Sequence, residues 1–225
     1  MLYPHPHRRT RPPGRYPRGV GTRKAALPPE RRDELLDVAT REFADNGFDG
    51  ASLNRIIRAC GMSKSSFYYY YESKEALFDA AVTRIVDGLR GDLKIPDPGD
   101  LAAPGFWDEV ERVGTDLMQV AGRNPRLIDF WRLFYATGAP SGEGSPLGRA
   151  RAGIDDWLGR ALAAGRAAGA VRDDMPPSLQ GELTLAALWT IDAWALRNLW
   201  RTDADEAMRI KCLQVGVIRR MVGTG

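Results

Sequence analysis

Cys60-Gly-Met-Ser-Lys-Ser-Ser-Phe-Tyr-Tyr-Tyr-Tyr-Glu-Ser-Lys74 is the stretch around which the rest of the chain is read. With Ser63 as an N-cap, its hydroxyl accepts from backbone N–H groups of the next turn, and Met62 and Phe67 fill the two positions of a hydrophobic staple. A helix therefore begins at Lys64. Ser73 is a second N-cap and opens a longer run with apolar residues at Leu77, Phe78, Ala81, Val82, Ile85 and Leu89. The tyrosine helix is thus short and closed at both ends. At roughly 100° per residue, Lys64, Ser65, Tyr68 and Tyr69 share one side, while Ser66, Phe67, Tyr70 and Tyr71 point the other way. The second set is built to bury. The first offers hydroxyl donors and a cation, which suit phosphate oxygens and base edges. A small core helix with amphipathic tyrosines at its rim satisfies the same pattern, so the helix taken alone leaves both readings open.

Upstream, Pro28 and Pro29 open a helix with apolar residues at Leu35, Leu36, Val38, Ala39 and Phe43, which Asp45-Asn46-Gly47 ends. Gly47 fits the left-handed residue of a Schellman cap, with Phe48 folding back on Phe43. Ser52 caps the next helix, whose buried positions are Leu53, Ile56, Ile57 and Cys60; Gly61 closes it, with Met62 reaching back to Ile57. Arg55 and Arg58 point off that face, where they can reach a DNA backbone. A helix, a short glycine turn and a second capped helix make a helix-turn-helix unit, with residues 64–71 as the recognition helix. Lys74 stands in the first turn of the following helix, where its sign opposes the helix macrodipole. A bound phosphate would remove that conflict, and so would Glu75 beside it.

Residues 30–82 resemble the N-terminal DNA-binding domain of TetR-type transcriptional regulators. The resemblance is carried by Ala39, Phe43, Gly47 and Phe48, then Ser52, Ile56 and Gly61, then Ser63-Lys64, Phe67-Tyr68 and Ser73-Lys74-Glu75-Ala76-Leu77. It implies that Tyr68 and Lys74 hold phosphates and that Lys64, Ser65 and Tyr69 lie near base edges. The chain departs from the family pattern at Ser65, where Gly or a small residue is frequent, and at Tyr70-Tyr71, where His or Phe is common. Those departures bear on which operator is read.

Downstream, Pro96, Asp97, Pro98, Gly99, Asp100 and Pro104 form a loop, and helices follow over 106–122, 125–137, 148–165 and 177–201, with a last helix capped by Thr202 and running to about Val222. Residues 169–177 resemble a linker that precedes the penultimate helix in TetR-type proteins. The helix from Leu183 to Trp200 sets Leu185, Leu188, Trp189, Asp192, Ala195, Leu196 and Leu199 on one stripe, with the Asp192 carboxylate in its middle. Such a group must be paired, neutralised or hydrated, because bare burial is costly. Three outcomes are open: an Arg partner across a dimer interface, a cationic ligand, or a wet groove edge. Ile210, Leu213, Val217 and Met221 repeat along the last helix, and two such amphipathic helices can form half of an intermolecular four-helix bundle. The resemblance implies the same homodimer through the last two helices. Trp107, Trp131, Phe134, Tyr135 and Trp157, together with Trp189 and Asp192, are the candidate lining of a pocket for a small apolar or amphipathic effector. The same aromatics also read as ordinary core.

Composition narrows the function classes. The 225 residues are 44% hydrophobic and 27% charged, as in ordinary globular proteins. The longest nearly unbroken apolar run, 183–196, is interrupted by Asp192 and is shorter than the ~20 residues of a membrane span. The basic N-terminus has no apolar stretch after it and so does not read as a secretory signal; the expected location is the cytoplasm. Cys60 and Cys212 read as separate buried thiols. The only histidines are His5 and His7, which leaves no catalytic His or zinc-ligand set beyond residue 27, and no phosphate-binding glycine loop is present. No catalytic residue, metal or cofactor is expected. Residues 1–29 carry seven cations and no acid, leaving −4 on the rest of the +3 chain; an arm of that charge is attracted to a polyanion.

The sequence thus predicts an all-α protein: a disordered basic arm at 1–27, a three-helix helix-turn-helix domain at 28–72, and a larger helical effector-binding and dimerisation domain at 73–225. Its expected function is that of a homodimeric repressor binding double-stranded operator DNA through Ser52, Arg55, Lys64, Ser65, Tyr68, Tyr69 and Lys74, and released by a small effector. The rival is a helical ligand-binding or scaffold protein that no longer binds DNA. Near-neutral charge over 30–74, seven basic against eight acidic residues, keeps the rival open.

Overall fold

The computed structural model describes residues 26–102, 105–198 and 204–224. Most of the basic arm with His5 and His7, together with Pro104, Leu199, Trp200 and the Thr202 cap, lies outside the described residues. Within them the chain is all-α: α1 (Pro29–Gly50), α2 (Leu53–Ala59), α3 (Lys64–Tyr70), α4 (Lys74–Leu89), a 3₁₀ turn (Pro98–Ala102), α5 (Phe106–Arg123), α6 (Pro125–Phe134), α7 (Pro146–Ala167), α8 (Pro177–Asn198) and α9 (Ala204–Val222).

Side-chain caps start the helices that matter for the site. Ser52, Ser63 and Ser73 accept from the N–H groups of Arg55, Ser66 and Ala76 at 3.3, 3.1 and 3.1 Å, as expected. Asn124 and Ser145 cap α6 and α7 in the same way, each followed by Pro at the first helical position. That Ser145-Pro146 pair begins α7 two residues before the predicted Gly148. Gly61 adopts φ +59, and both Schellman bonds form: Met62 N–H to Ile57 O and Gly61 N–H to Arg58 O, each 3.0 Å.

Gly47 differs from its prediction. Its φ of 69° comes with ψ of 172°, so Gly47 kinks α1, which runs on for a short turn to Gly50, rather than ending it in a Schellman loop. Phe48 N–H then donates to Thr137 O at 2.9 Å instead of to its own helix. A carbonyl from another part of the fold has replaced the local acceptor. The predicted ring contact survives, with Phe43 and Phe48 stacked at 5.8 Å between centroids.

Two apolar cores hold the chain. The first joins Leu35, Leu36, Phe43, Phe48, Ile56, Phe67 and the predicted α4 face to Leu127, Phe130, Leu133, Phe134 and Leu147. Phe78 meets Phe43 and Phe48 edge-on at 5.1 and 5.4 Å, so the start of α4 packs with the helix-turn-helix unit and its length packs on α6. The second core gathers Leu101, Phe106, Trp107, Leu158, Leu162, Val171, Val215, Ile218 and Val222. In α9 the buried line is therefore Gln214, Val215, Ile218 and Val222, while the predicted Leu213 is half exposed and Cys212 is exposed rather than buried. The reason is phase: α9 turns its 215–218–222 face into this second core, leaving 213 outside.

Candidate nucleic-acid interface

The helix α3 is fixed from below by one ring. Phe67 is fully buried, Tyr71 stacks on it at 5.8 Å and Tyr68 meets it edge-on at 5.3 Å. On the opposite side Tyr68 and Tyr69 are 50% and 41% exposed, with Lys64 and Ser65 exposed beside them. The predicted partition of this helix is thus the observed one. Ser65 and Ser63 share a hydroxyl–hydroxyl hydrogen bond of 3.0 Å, which ties the Ser65 side chain to the cap.

The supporting helix carries Arg55, whose guanidinium donates to Glu42 Oε1 from Nε at 2.9 Å. The same oxygen accepts the Ser52 N–H at 2.8 Å, so one carboxylate seats both the cap and the arginine of α2. The Arg55 hydrogen bond holds the Glu42 carboxyl below its usual range. Glu42 was missed from the sequence because nothing local to α1 marks it as the partner of a residue in the next helix.

Lys74 sits elsewhere than expected for a phosphate contact. Its ammonium donates to Phe48 O at 2.8 Å and to Asp49 O and Ala51 O at 3.4 Å, and it lies 4.5 Å from the Phe48 ring centroid. Carbonyls that end α1 thereby supply the negative end that the start of α4 does not. The conflict with the macrodipole is met within the chain.

Six of the seven candidate effector residues divide between the cores. Trp131, Phe134, Tyr135 and Trp189 belong to the first, with Trp131 and Tyr135 stacked at 6.1 Å and Phe134 edge-on to Trp189 at 6.2 Å. Trp107 and Trp157 belong to the second, their indole N–H groups donating to Ala170 O at 3.1 Å and Pro96 O at 2.9 Å. None of the seven lines the cavities beside α9 and α5. A cavity of about 400 Å³ lies instead against Glu111, Gly216, Arg219, Arg220 and Gly223. A second of about 180 Å³ lies between α5 and residues 92–95, against Leu93, Ile95, Val113, Leu117 and Val120.

Asp192 finds partners within its own chain. It accepts from Gln214 Nε2 at 2.8 Å and from the Tyr135 hydroxyl at 3.3 Å, with Lys211 Nζ at 3.8 Å. Burial, and then the neighbouring carboxylate, push the Tyr135 hydroxyl far up, so it stays a donor. Gln214, itself buried, also donates to Leu188 O at 3.0 Å and so pins α9 to α8.

On this geometry the comparisons bear directly. Residues 35–81 match the family described as bacterial regulatory proteins, tetR family. A curated relative, the uncharacterized HTH-type transcriptional regulator YdgC of Bacillus subtilis (strain 168), is 41% identical over 54 residues, which cover 24% of this chain and 28% of YdgC. A TetR family transcriptional regulator from Chloroflexus aurantiacus J-10-FL superposes with TM-score 0.61 at 20% identity, covering 88% of this chain and 96% of that one. SmeT, the repressor of the Stenotrophomonas maltophilia multidrug efflux pump SmeDEF, superposes with TM-score 0.56 at 16% identity over 86% of this chain and 90% of its own, and its triclosan complex has been solved. Residues 35–81 thus carry the match to the tetR-family helix-turn-helix domain, and the described chain shares the all-helical fold of solved TetR-family regulators.

Proposed function

We propose that the chain is a homodimeric transcriptional repressor that binds double-stranded operator DNA through α3 and is released by a small apolar or amphipathic effector. The observation that carries this reading is the rigidly backed, exposed Lys64-Ser65-Tyr68-Tyr69 face of α3. Hydroxyl donors on a helix of this length suit a major groove, with Lys64 as the cation beside them. Ser52 and Arg55 flank it from α2, Arg55 holding its guanidinium half exposed against Glu42. Catalysis, metal and cofactor are not part of the reading, and the cytoplasm is its setting; among the described residues no helix is long and apolar enough to cross a membrane.

The dimer is placed on α8 and α9. On α8 the polar Gln180 and Thr184 are buried while Leu179, Leu183 and Trp194 stand exposed, and Leu213 of α9 stands exposed too. That inversion of the usual order suits a second copy covering the apolar side. Two recognition helices would then meet a near-palindromic site about one DNA turn apart, near ~34 Å or beyond. Residues 73–225 serve as effector and dimer domain, and the SmeT–triclosan complex favours an apolar effector. Binding among the central helices shifts a two-state equilibrium in which α4 carries the helix-turn-helix unit.

A second reading, a helical ligand-binding protein without DNA, draws on the occupied cations: Arg55 is held by Glu42, and Lys74 by the carbonyls of residues 48, 49 and 51. Retention of the protein on fragments of the DNA upstream of its own gene separates the two. Saturable retention, lost on adding an apolar effector, supports the repressor; no retention on any fragment at low salt supports the rival.

A further inference from the structure

The segment 134–138, at the end of α6, is held from three sides. From α7, Arg151 donates to Phe134 O at 2.8 Å and to Ser141 Oγ at 2.6 Å. From α8, Asp192 accepts the Tyr135 hydroxyl at 3.3 Å. On its third side the segment accepts from the helix-turn-helix unit: Thr137 O takes Phe48 N–H at 2.9 Å and Asp49 N–H at 3.4 Å.

The fit at that third side is close. A Cβ on Gly47 would stand 3.3 Å from Thr137 O, and one on Gly138, at φ +71, would run into the Asp49 carboxylate. The Phe48, Asp49 and Ala51 carbonyls of the same turn are occupied by Lys74, the first residue of α4. The turn that orients α2 and α3 is thus fixed by Thr137 on its N–H side and by α4 on its C=O side.

We propose that residues 135–138 are a joint that couples the α8–α9 layer to the recognition helix, with the Tyr135–Asp192 hydrogen bond as its setting. Only Ala136 separates the residue that reads Asp192 from the residue that holds Phe48. A displacement of Asp192, whether by a ligand against Trp189 and Asp192 or by movement of α8 on α9, is passed to the turn through two peptide units. Packed interfaces of this kind hold discrete positions rather than deforming smoothly. The output side of the joint rests on the regulator reading above; its mechanical side does not.

The test is amide hydrogen exchange on the full chain, read at Phe48 with Ile56 and Phe67 as internal references, paired with affinity for a retained upstream fragment. Tyr135→Phe is expected to speed Phe48 exchange at least about tenfold and leave Ile56 and Phe67 unchanged. Affinity should fall about five- to tenfold, the lower range of known coupling between sites. Gly138→Ala keeps the Tyr135–Asp192 bond but strains the joint, and should speed Phe48 in the same selective way. Unchanged Phe48 exchange in either variant overturns the joint, as does equal quickening of all three amides, which marks general loosening. Selective quickening with unchanged affinity overturns the coupling to DNA. If the parent protein binds no fragment, the regulator reading fails, and the exchange comparison alone still decides the joint.

Discussion

Lys74 and Glu42 show how single side chains divide their duties between stability and binding. The Lys74 ammonium satisfies carbonyls left open at the end of α1, and hydrogen bonds to charged groups contribute more than neutral ones. Lys74→Met keeps the aliphatic stem over Phe48 and removes those bonds. We expect a loss of about 1–2 kcal/mol, seen as a lower urea midpoint at unchanged slope; an unmoved midpoint would show that the bonds are idle. Glu42 has a folded-state pKa below its ordinary 4.5 because it is bonded first to Arg55 and also to the Ser52 N–H. A depressed acid stabilises fully above the unfolded-state value and loses that contribution as pH falls through the lowered one. The stability gap between the parent and Glu42→Gln should therefore be about 1 kcal/mol near neutrality and close as pH drops from about 4.5 downward. A gap independent of pH would assign the effect to packing alone. Neither partnership was visible in the sequence, since each joins residues of different helices.

At the scale of elements, local rules carried far. Caps, glycine ends and the α4 stripe involve residues a few positions apart, so Ser52, Ser63, Ser73, Gly61 and the 77–78–81–82–85–89 face were all legible. Gly61 gives a clean test of one such rule. Nothing lies within 4 Å of a Cβ built there, so Gly61→Ala carries only the left-handed backbone penalty, about 1–2 kcal/mol. A cost near zero by thermal or urea unfolding would mean that the turn relaxes away from the observed Schellman geometry. Gly47 was misread for the opposite reason: its end is set by Thr137, distant in sequence, and no local pattern announces that acceptor. The division of the aromatic set has a similar cause. Periodicity finds that Trp107, Trp131 and Trp157 face inward, but not that they face two different cores.

At the scale of the molecule, the charge balance and the exposed apolar surface set the expectations. Leu213, half exposed on α9, is outside both cores yet on the side assigned to a second copy. Leu213→Glu should convert a dimer to a monomer in analytical ultracentrifugation with helical content unchanged; a dimer that persists would move the interface elsewhere. For DNA, the folded face offers few unoccupied cations, Lys64 foremost, so its contribution to the salt dependence should be small and countable. The most direct measurement is the affinity of the full chain for a retained upstream fragment across a salt series, for the parent, Lys64→Ala and Tyr68→Phe. The account predicts saturable binding by the parent, weaker binding by Tyr68→Phe, and a salt slope reduced by about one in Lys64→Ala. Parent-like affinity and slope in both variants would contradict the claim that this face of α3 meets the duplex.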